Sequence, residues 1–364
     1  MNSDSLLSDD WSHVVDQLGG ACSLDRTARA SGAFQRARAV RDPVSLLRLI
    51  LAYCLGTGGL RATAAWAAAT GLADLSNPAL LKRLRNCGDW LNLLVGHCLT
   101  SAAPRPAQGR LIRVIDGTTV QKPGPDARKS NGLWRIHAAF DLPAERFGHF
   151  ELTDEHGGEQ VDRIPVVKGE IRLADRVYLQ PDRIASVIEA GGDIVVRAGW
   201  RNARWLDKDG APFDMARELA RSDDQIDRPI WIGRNRGAPL AMRLVLLRKS
   251  ESAAEAARRE VRRQAKKSGY TPSQATLDAA SWMILVTSLP ADTFPTEAIS
   301  ALYRLRWRVE LAFKRLKSVV GLKNPPVADA RSARPWILAH LLLILLLEPL
   351  VDALEDSPPE AASV

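Results

Sequence analysis

The chain has 364 residues, of which 46% are hydrophobic and 25% charged, proportions that exclude a disordered or fibrous protein and allow about two or three domains. Fifty lysines and arginines against 42 acids give a net charge of +8, which favours a polyanionic partner, with nucleic acid first among them. The four cysteines form no CxxC pair, so they predict reduced thiols in a cytoplasmic protein. Residues 1–15 are acidic and polar and predict no secretory signal.

Residues 1–105 are predicted to form an N-terminal helical domain. Segments 43–57, 60–70 and 78–99 have helical periodicity, and the pair Gly58-Gly59 and the turn-forming stretch 75–78 separate them. Basic residues on the third segment fit a DNA-binding module, and a plain helical bundle fits equally well. The Pro-containing stretch 101–109 is predicted to be a linker.

Residues 106–198 have the pattern of a mixed sheet flanked by helices. Strands are predicted over 111–115, 133–140, 149–153, 170–176 and 192–197, with a helix over 181–190. The first strand ends in Asp116 and the fourth in Asp175. Two acids are therefore expected at strand ends.

Residues 199–280 are predicted to be a β-rich insertion with strands over 229–233 and 240–248. A strongly basic helix follows over 251–269, and its cations form either a DNA-backbone surface or a solvated face balanced by nearby glutamates. The cations singled out as DNA contacts are Arg258, Arg262 and Lys266. Strand 281–288 returns the chain to its core, which ends near residue 325.

The C-terminal region, 326–364, contains the most apolar segment of the chain. Residues 336–354 could be taken for a membrane span, but the unbroken apolar run covers only residues 341–347 and is followed by Glu348 and Pro349. A bilayer requires about 20 apolar residues. A buried C-terminal helix is therefore predicted, with no membrane partner.

Residues 303–317 predict one continuous amphipathic helix. At about 100° per residue, Tyr303, Arg306, Glu310 and Lys317 fall within a stripe about 60° wide, away from the apolar side. Such a stripe is often a solvated face with weak ion pairs. Its single acid among six basic residues also suits a functional surface.

Asp116, Asp175 and Glu310 form a set with a chemical logic. Phosphodiester hydrolysis and strand transfer need an activated oxygen nucleophile and a stabilised leaving oxygen, and two divalent cations supply both. Mg²⁺ prefers carboxylate oxygens. Three converging acids could hold such a pair.

The spacing Tyr303-x2-Arg306-x3-Glu310-x6-Lys317 resembles the Tyr-Arg-Glu-Lys signature of the insertion-sequence-4 family of DDE transposases. The resemblance extends to the motifs at residues 116–119, 173–176 and 281–290. It implies an α/β (mixed) fold, a ribonuclease-H-like catalytic core interrupted by a β-rich insertion, with an N-terminal helical domain and C-terminal helices.

The same resemblance implies roles for individual residues. The catalytic, metal-binding acids would be Asp116, Asp175 and Glu310. DNA-phosphate contacts would be Tyr303, Arg306, Lys317 and, beside the second acid, Arg176. Trp282 matches a position that stacks on a flipped base, although a core tryptophan is the alternative. His137 is given no catalytic role.

The predicted function is a DNA transposase that cleaves at element ends and joins them to target DNA, using two Mg²⁺ ions for which Mn²⁺ substitutes. The resemblance implies a homodimer when bound to double-stranded DNA, located in the cytoplasm at the nucleoid. Two alternatives remain open. One is an inactive or repurposed sequence-specific DNA-binding protein, and the other is a nuclease of the same fold without strand transfer.

Overall fold

The computed structural model of the chain describes residues 11–101, 109–121, 133–318, 321–322, 325–326 and 329–355. Most of the predicted linker at 101–109 lies outside these ranges. The described elements form a mixed α/β fold, as expected, with one large sheet and twelve α-helices of named bounds.

The N-terminal region is helical, as predicted. Five of its helices have named bounds: α1 (Gly20–Ala30), α2 (Pro43–Leu55), α3 (Leu60–Ala69), α4 (Asn77–Asn86) and α5 (Gly88–Ser101). Helix α2 begins at Pro43 because Asp42 accepts a hydrogen bond from the Ser45 amide and Pro43 occupies the first turn, where no amide hydrogen is needed.

The sheet has nine strands in the order β3-β2-β1-β4-β5-β9-β8-β7-β6. All the predicted strands are present, and a short β6 is added. Their bounds are β1 (Ile112–Gln121), β2 (Leu133–Asp141), β3 (Arg146–Thr153), β4 (Ile171–Ala174), β5 (Asp193–Arg197), β6 (Trp205–Leu206), β7 (Gln225–Ile232), β8 (Leu240–Arg248) and β9 (Trp282–Thr287). Helix α6 (Pro181–Glu189) connects β4 to β5.

Strand β1 corrects one expectation, because it does not end at Asp116. It pairs in parallel with β4 only as far as Ile115, opposite Ala174, but continues in an antiparallel hairpin with β2 to Gln121. The hydrogen bonds to β2 keep β1 extended beyond the point where its other partner, β4, ends. Asp116 therefore lies inside a strand, where the parallel pairing stops.

The strands of region 199–280 extend the central sheet. Strand β8 pairs with β9 along six residue pairs, and β7 and β6 follow outward from it. Three helices complete the region: α7 (Met215–Leu219), α8 (Glu251–Lys267) and α9 (Gln274–Ala280). The predicted insertion thus shares backbone hydrogen bonds with the core strand that follows it.

The predicted continuous helix over 303–317 is wrong, because the chain turns at Leu305 and Arg306. Helix α10 (Thr296–Arg304) ends there and α11 (Trp307–Ser318) begins, joined by amide-to-carbonyl bonds of the i to i−3 type. The two helices pack on different partners, α10 on β5 and α11 on β1 and the C-terminal helix. The axis turns so that both apolar faces are buried.

The C-terminal helix α12 (Ala330–Glu355) is buried, as predicted. Among the helices that the structure describes, only this one is long and apolar enough to cross a membrane, over its segment Ala330–Leu347. The protein itself buries 67% of that segment. It packs on α2, α4 and α5 as well as on α11. One hydrophobic cluster thus joins the N-terminal helices, α12 and one face of the sheet.

A buried charged network ties β1, β2 and β4 together near the start of β4. Arg172 and Glu170 are fully buried, and Arg172 Nε donates to Glu170 Oε1 at 2.6 Å. Arg113 bridges Glu170 Oε2 at 3.2 Å and Asp141 Oδ1 at 2.7 Å. Each buried charge has a partner of opposite charge, which offsets the free-energy cost of removing it from water.

Candidate active site

Two of the predicted acids lie side by side at one edge of the sheet. Ile115 of β1 is paired with Ala174 of β4, so the next residues in each strand, Asp116 and Asp175, are neighbours. The carboxyl ends of parallel strands meet at the same edge, which holds both side chains on a rigid scaffold. This places the first two acids together, as predicted.

Asp116 is poorly solvated. Its side chain is 21% exposed, and its Oδ1 atom accepts a hydrogen bond from the Gly117 amide at 2.8 Å. Burial raises the pKa of Asp116 to about 6, while the Gly117 amide and Arg306 oppose that rise. A cation placed beside this carboxylate therefore stabilises its charged form.

Arg306 supplies that positive charge in the structure. Its Nη1 atom lies 3.7 Å from Asp116 Oδ2, and its Nη2 atom donates to Glu310 Oε1. Burial disfavours the Arg306 charge, but the pKa of this guanidinium is raised overall by Tyr303, Glu310 and Asp175. One guanidinium therefore lies between Asp116 and Glu310, whose side chain is 58% exposed, and Asp175 acts on it electrostatically.

Tyr303 is buried beside this guanidinium, where the sequence predicted a surface position. Its ring lies 5.9 Å from the Arg306 guanidinium carbon, and its hydroxyl has no hydrogen-bond partner among the described residues. Burial raises the pKa of Tyr303 to about 12, with smaller influences from Arg306, Asp175 and Arg197. Sequence reasoning missed Arg197, the last residue of β5, although its place at the end of the neighbouring strand is a signal of the same kind that found Asp175.

Two further polar groups near the acids were also missed. Glu159 acts electrostatically on Asp116, and its Oε1 atom is 3.1 Å from where a Cβ on Gly117 would lie, so a side chain at position 117 would press on this carboxylate. Tyr178 is fully buried, and its hydroxyl has no hydrogen-bond partner among the described residues. The charges of Asp116, Glu159 and Asp175 act on it electrostatically. Glu159 lies in an irregular segment, where no periodicity could point to it.

His137 is a buried residue on the β1–β2 hairpin. Its Nε2 atom is 2.9 Å from the Thr153 hydroxyl. Burial and the cations Arg163 and Arg135 lower the pKa of His137 to about 4. The imidazole is therefore neutral near neutral pH.

The donor set fits a divalent cation, although the described residues contain no ready-made group of three His, Cys, Asp or Glu side chains able to hold one. Carboxylate oxygens are the ligands that Mg²⁺ prefers, and Asp175 Oδ1 is buried without a partner. Arg306 already places one positive charge between Asp116 and Glu310. Asp116 and Asp175 would hold the cation from the sheet edge, and Glu310 would complete the set from its exposed position on α11.

Trp282 does not offer the exposed ring that base stacking requires. It is 3% exposed, its Nε1 atom donates to the Leu219 carbonyl at 2.9 Å, and the Arg248 guanidinium covers its ring at 4.3 Å. The prediction of a stacking platform is therefore corrected to the alternative, a core tryptophan. The apolar β9 strand carries it into the packing against α7.

Two predicted phosphate contacts occupy positions that DNA could reach. Arg176 follows Asp175 directly and is exposed at the same edge, in a short turn over Arg176–Tyr178. Lys317 lies seven positions after Glu310 on α11 and is half-buried. Their roles remain predictions.

The three predicted cations of α8 differ in their surroundings. Arg258 is fully engaged, because it binds Glu255, Ser281 and, on the first turn, Glu251. That network gives it a structural role in place of the predicted DNA contact. Arg262 has a looser ion pair with Glu255 at 3.5 Å, and Lys266 is exposed.

Comparison with known proteins gives an independent result. The family described as the transposase DDE domain matches residues 107–346, a segment that contains all three acids. The putative transposase InsL for insertion sequence element IS186A of Escherichia coli (strain K12) is 36% identical over 363 residues, 97% of each chain. The transposase for insertion sequence element IS421 of Escherichia coli is 37% identical over 366 residues, again 97% of each chain.

Proposed function

Because the chain belongs to the transposases with a DDE domain, we propose that it binds the terminal inverted repeats of a mobile DNA element, cleaves at the element ends and joins them to target DNA. Hydrolysis and joining are both in-line displacements at phosphorus, so one site can serve both in turn. The spacing of Tyr303, Arg306, Glu310 and Lys317 supports assignment to the insertion-sequence-4 group.

The observation that supports this proposal best is that one guanidinium links acids from distant parts of the chain. Asp116 and Asp175 follow paired strands and Glu310 lies on a helix 135 positions after Asp175 (310 minus 175), yet Arg306 lies 3.7 Å from Asp116 Oδ2, donates to Glu310 and has its pKa raised by Asp175. Asp116 and Asp175 also repel each other, since Asp175 raises the pKa of Asp116. A structural role alone gives no reason for placing these acids together.

We assign Asp116, Asp175 and Glu310 as the ligands of two Mg²⁺ ions, for which Mn²⁺ would substitute. When bound, the ions supply activation of the attacking oxygen and stabilisation of the leaving one. The protein's own contribution is positional, since two of the ligands stand on hydrogen-bonded strands. The unpartnered Asp175 Oδ1 atom supports this assignment.

The residues around the acids are suited to holding a DNA phosphate. Arg306 offers a planar fork of donors and Lys317 a point charge, and the buried Tyr303 hydroxyl has a free donor beside Arg306. In this proposal, Arg306 exchanges its carboxylate partners for a phosphate oxygen when DNA arrives. That exchange would free Glu310 and Asp116 for the cations.

The net charge of +8 supports binding to DNA, and we propose that two copies of the chain act together, bridged by the two element ends. A DNA-bound protein of this kind would work in the cytoplasm, at the nucleoid.

The direct test is an in vitro assay on linear DNA that carries the inverted repeats, with Mg²⁺ supplied or chelated. We expect cleaved and joined products with Mg²⁺ and none without it. Glu310→Gln should abolish both steps, whereas Glu297→Gln, an exposed acid on α10, should leave both intact. Equal products from the wild type and Glu310→Gln would refute the catalytic assignment.

The same assay separates the alternatives. Binding without cleavage in Mg²⁺ would identify a DNA-binding protein that has lost catalysis. Pre-cut ends incubated with a plasmid give joined products only if strand transfer occurs. Cleavage without such products would identify a nuclease.

A further inference from the structure

Helices α8 and α9 form a hairpin that starts on the side of the sheet where Asp116 and Asp175 lie. Strand β9 runs antiparallel to β5 with Leu285 opposite Arg197, so its first residue, Trp282, lies three residues beyond the level where β5 ends, two strands from β4. That is about 10 Å sideways and about 10 Å along the strand. Arg258 Nη1 fastens the hairpin there by donating to Ser281 Oγ at 2.8 Å. Helix α8 continues for nine residues after Arg258 (267 minus 258), so its end lies about 14 Å from Arg258 along the helix axis.

The turn at the tip of the hairpin fixes the position of Tyr270. The Tyr270 amide donates to the Ala265 carbonyl at 3.0 Å and the Gly269 amide to the Lys266 carbonyl at 3.2 Å, the two bonds of a Schellman motif. Gly269 has a φ of +74°, which favours glycine. The backbone under Tyr270 is therefore set by hydrogen bonds.

Tyr270 and two cations line an open cleft of about 510 Å³ at this tip, together with Gly269, Thr271 and Pro272. The cations are Arg262 and Lys266. Tyr270 is 57% exposed, so its ring is not used in the apolar contact that often closes a Schellman motif. The ring therefore presents an open face beside the two cations.

We propose that this hairpin cleft (Arg262, Lys266 and Tyr270) is a second contact for duplex DNA, separate from the catalytic acids and resting on the proposed function. The two cations bind backbone phosphates and the ring packs on the adjoining sugar. The cleft lies at the far end of α8 from the point where Arg258 fastens the hairpin, so its contact falls on a part of the duplex away from the cleavage point. The cleft thereby fixes the angle at which the DNA end enters the site.

The test compares full-length variants on a duplex that carries the element end. The double variant Arg262→Ala with Lys266→Ala should lower the slope of log Kd against log salt by about two, one for each lost phosphate contact. Tyr270→Ala should weaken binding by about three- to tenfold with an unchanged slope, and Tyr270→Phe should bind like the wild type. The matched control is Arg263→Ala, a cation of the same helix that lies outside the cleft and is paired with Glu260 at 2.6 Å.

Hydroxyl-radical footprinting locates the contact. The double variant should lose protection at a second place on the duplex, away from the cleavage point, while keeping the protection at that point. An unchanged footprint and a slope equal to that of Arg263→Ala would overturn the inference. A double variant that binds DNA normally but no longer self-associates would also overturn it, because the cleft would then bind a second copy of the chain. A wild type that fails to protect the element end would instead refute the proposed function, so the two failures are distinguishable.

Discussion

Arg306 Nη1 lies 3.7 Å from Asp116 Oδ2, and the other terminal nitrogen of the same guanidinium donates to Glu310. The residue that the signature predicts as a phosphate contact is thus already bound to the predicted catalytic acids. A phosphate and these carboxylates cannot occupy the same donors at once. The site is therefore expected to change its pairing between the free and the DNA-bound protein.

Replacing Arg306 should strengthen the response of the protein to divalent cations. In Arg306→Ala the three acids lose their shared positive partner, so added Mg²⁺ should raise the Tm by more than it does in the wild type. Differential scanning fluorimetry with and without Mg²⁺ measures this shift. Arg304→Ala, an exposed cation at the end of α10, is the control. Identical Mg²⁺ shifts in all three proteins would contradict the shared-cation arrangement.

Asp116 should make the stability of the cation-free protein depend on pH. Burial raises the pKa of Asp116 from 3.8 to about 6, so the folded state binds the proton more tightly than the unfolded state does. The carboxylate then costs stability above pH 6, by up to about 3 kcal/mol, and nothing below about pH 4.

The variant Asp116→Asn should therefore be the more stable protein at pH 8 without divalent cations, and its advantage should disappear between pH 6 and pH 4. Urea unfolding at each pH measures the free energy. Asp209→Asn, an exposed acid, should show no such trend. An advantage that is the same at every pH would argue against a buried carboxylate.

Trp282 should behave as a core residue. Trp282→Ala should reduce the free energy of unfolding by about 3–5 kcal/mol, because it leaves a cavity and an unpaired Leu219 carbonyl. Trp307→Ala, at a tryptophan that is 52% exposed, is the matched control and should cost much less. Processing of blunt and of pre-nicked ends should fall equally in Trp282→Ala. A selective loss with blunt ends would restore the base-stacking role.

Lys317 should contribute one phosphate contact. Lys317→Ala is expected to weaken binding of the element end and to lower the log–log salt slope by about one. Fluorescence anisotropy over a range of salt concentrations gives both values. Lys208→Ala removes an equal charge from an exposed turn and should leave the slope unaltered. If both variants have the wild-type slope, Lys317 belongs to the solvated face of its helix.

The buried network around Glu170 should be essential for stability. Glu170→Ala leaves the fully buried Arg172 without its carboxylate partner, which should cost about 3–5 kcal/mol. Chemical denaturation measures the loss. Glu189→Ala, whose side chain is 71% exposed and 4.0 Å from Arg234, should change stability by less than about 1 kcal/mol. A small effect at Glu170 would mean that water enters the network.

The sequence by itself determined the strands of the core, the N-terminal helices and the place of Asp116 and Asp175 directly after apolar strand runs. These follow from local rules, because apolar runs of strand length form the sheet. The parallel pairing of β1 with β4, which makes the two acids neighbours, was decided by the fold. The place of Glu310 beside them was reached through its motif spacing, since periodicity alone allowed a solvated face.

Only the tertiary structure decided what packs against what. It turned the chain at Arg306 because α10 and α11 bury their faces on different elements, and it buried Trp282 and Tyr303, whose local sequences also suit exposed positions. It brought Glu159 and Arg197 close to the acids from segments with no shared pattern. Contacts between residues far apart in the chain depend on the whole fold, and no periodicity within one segment encodes them.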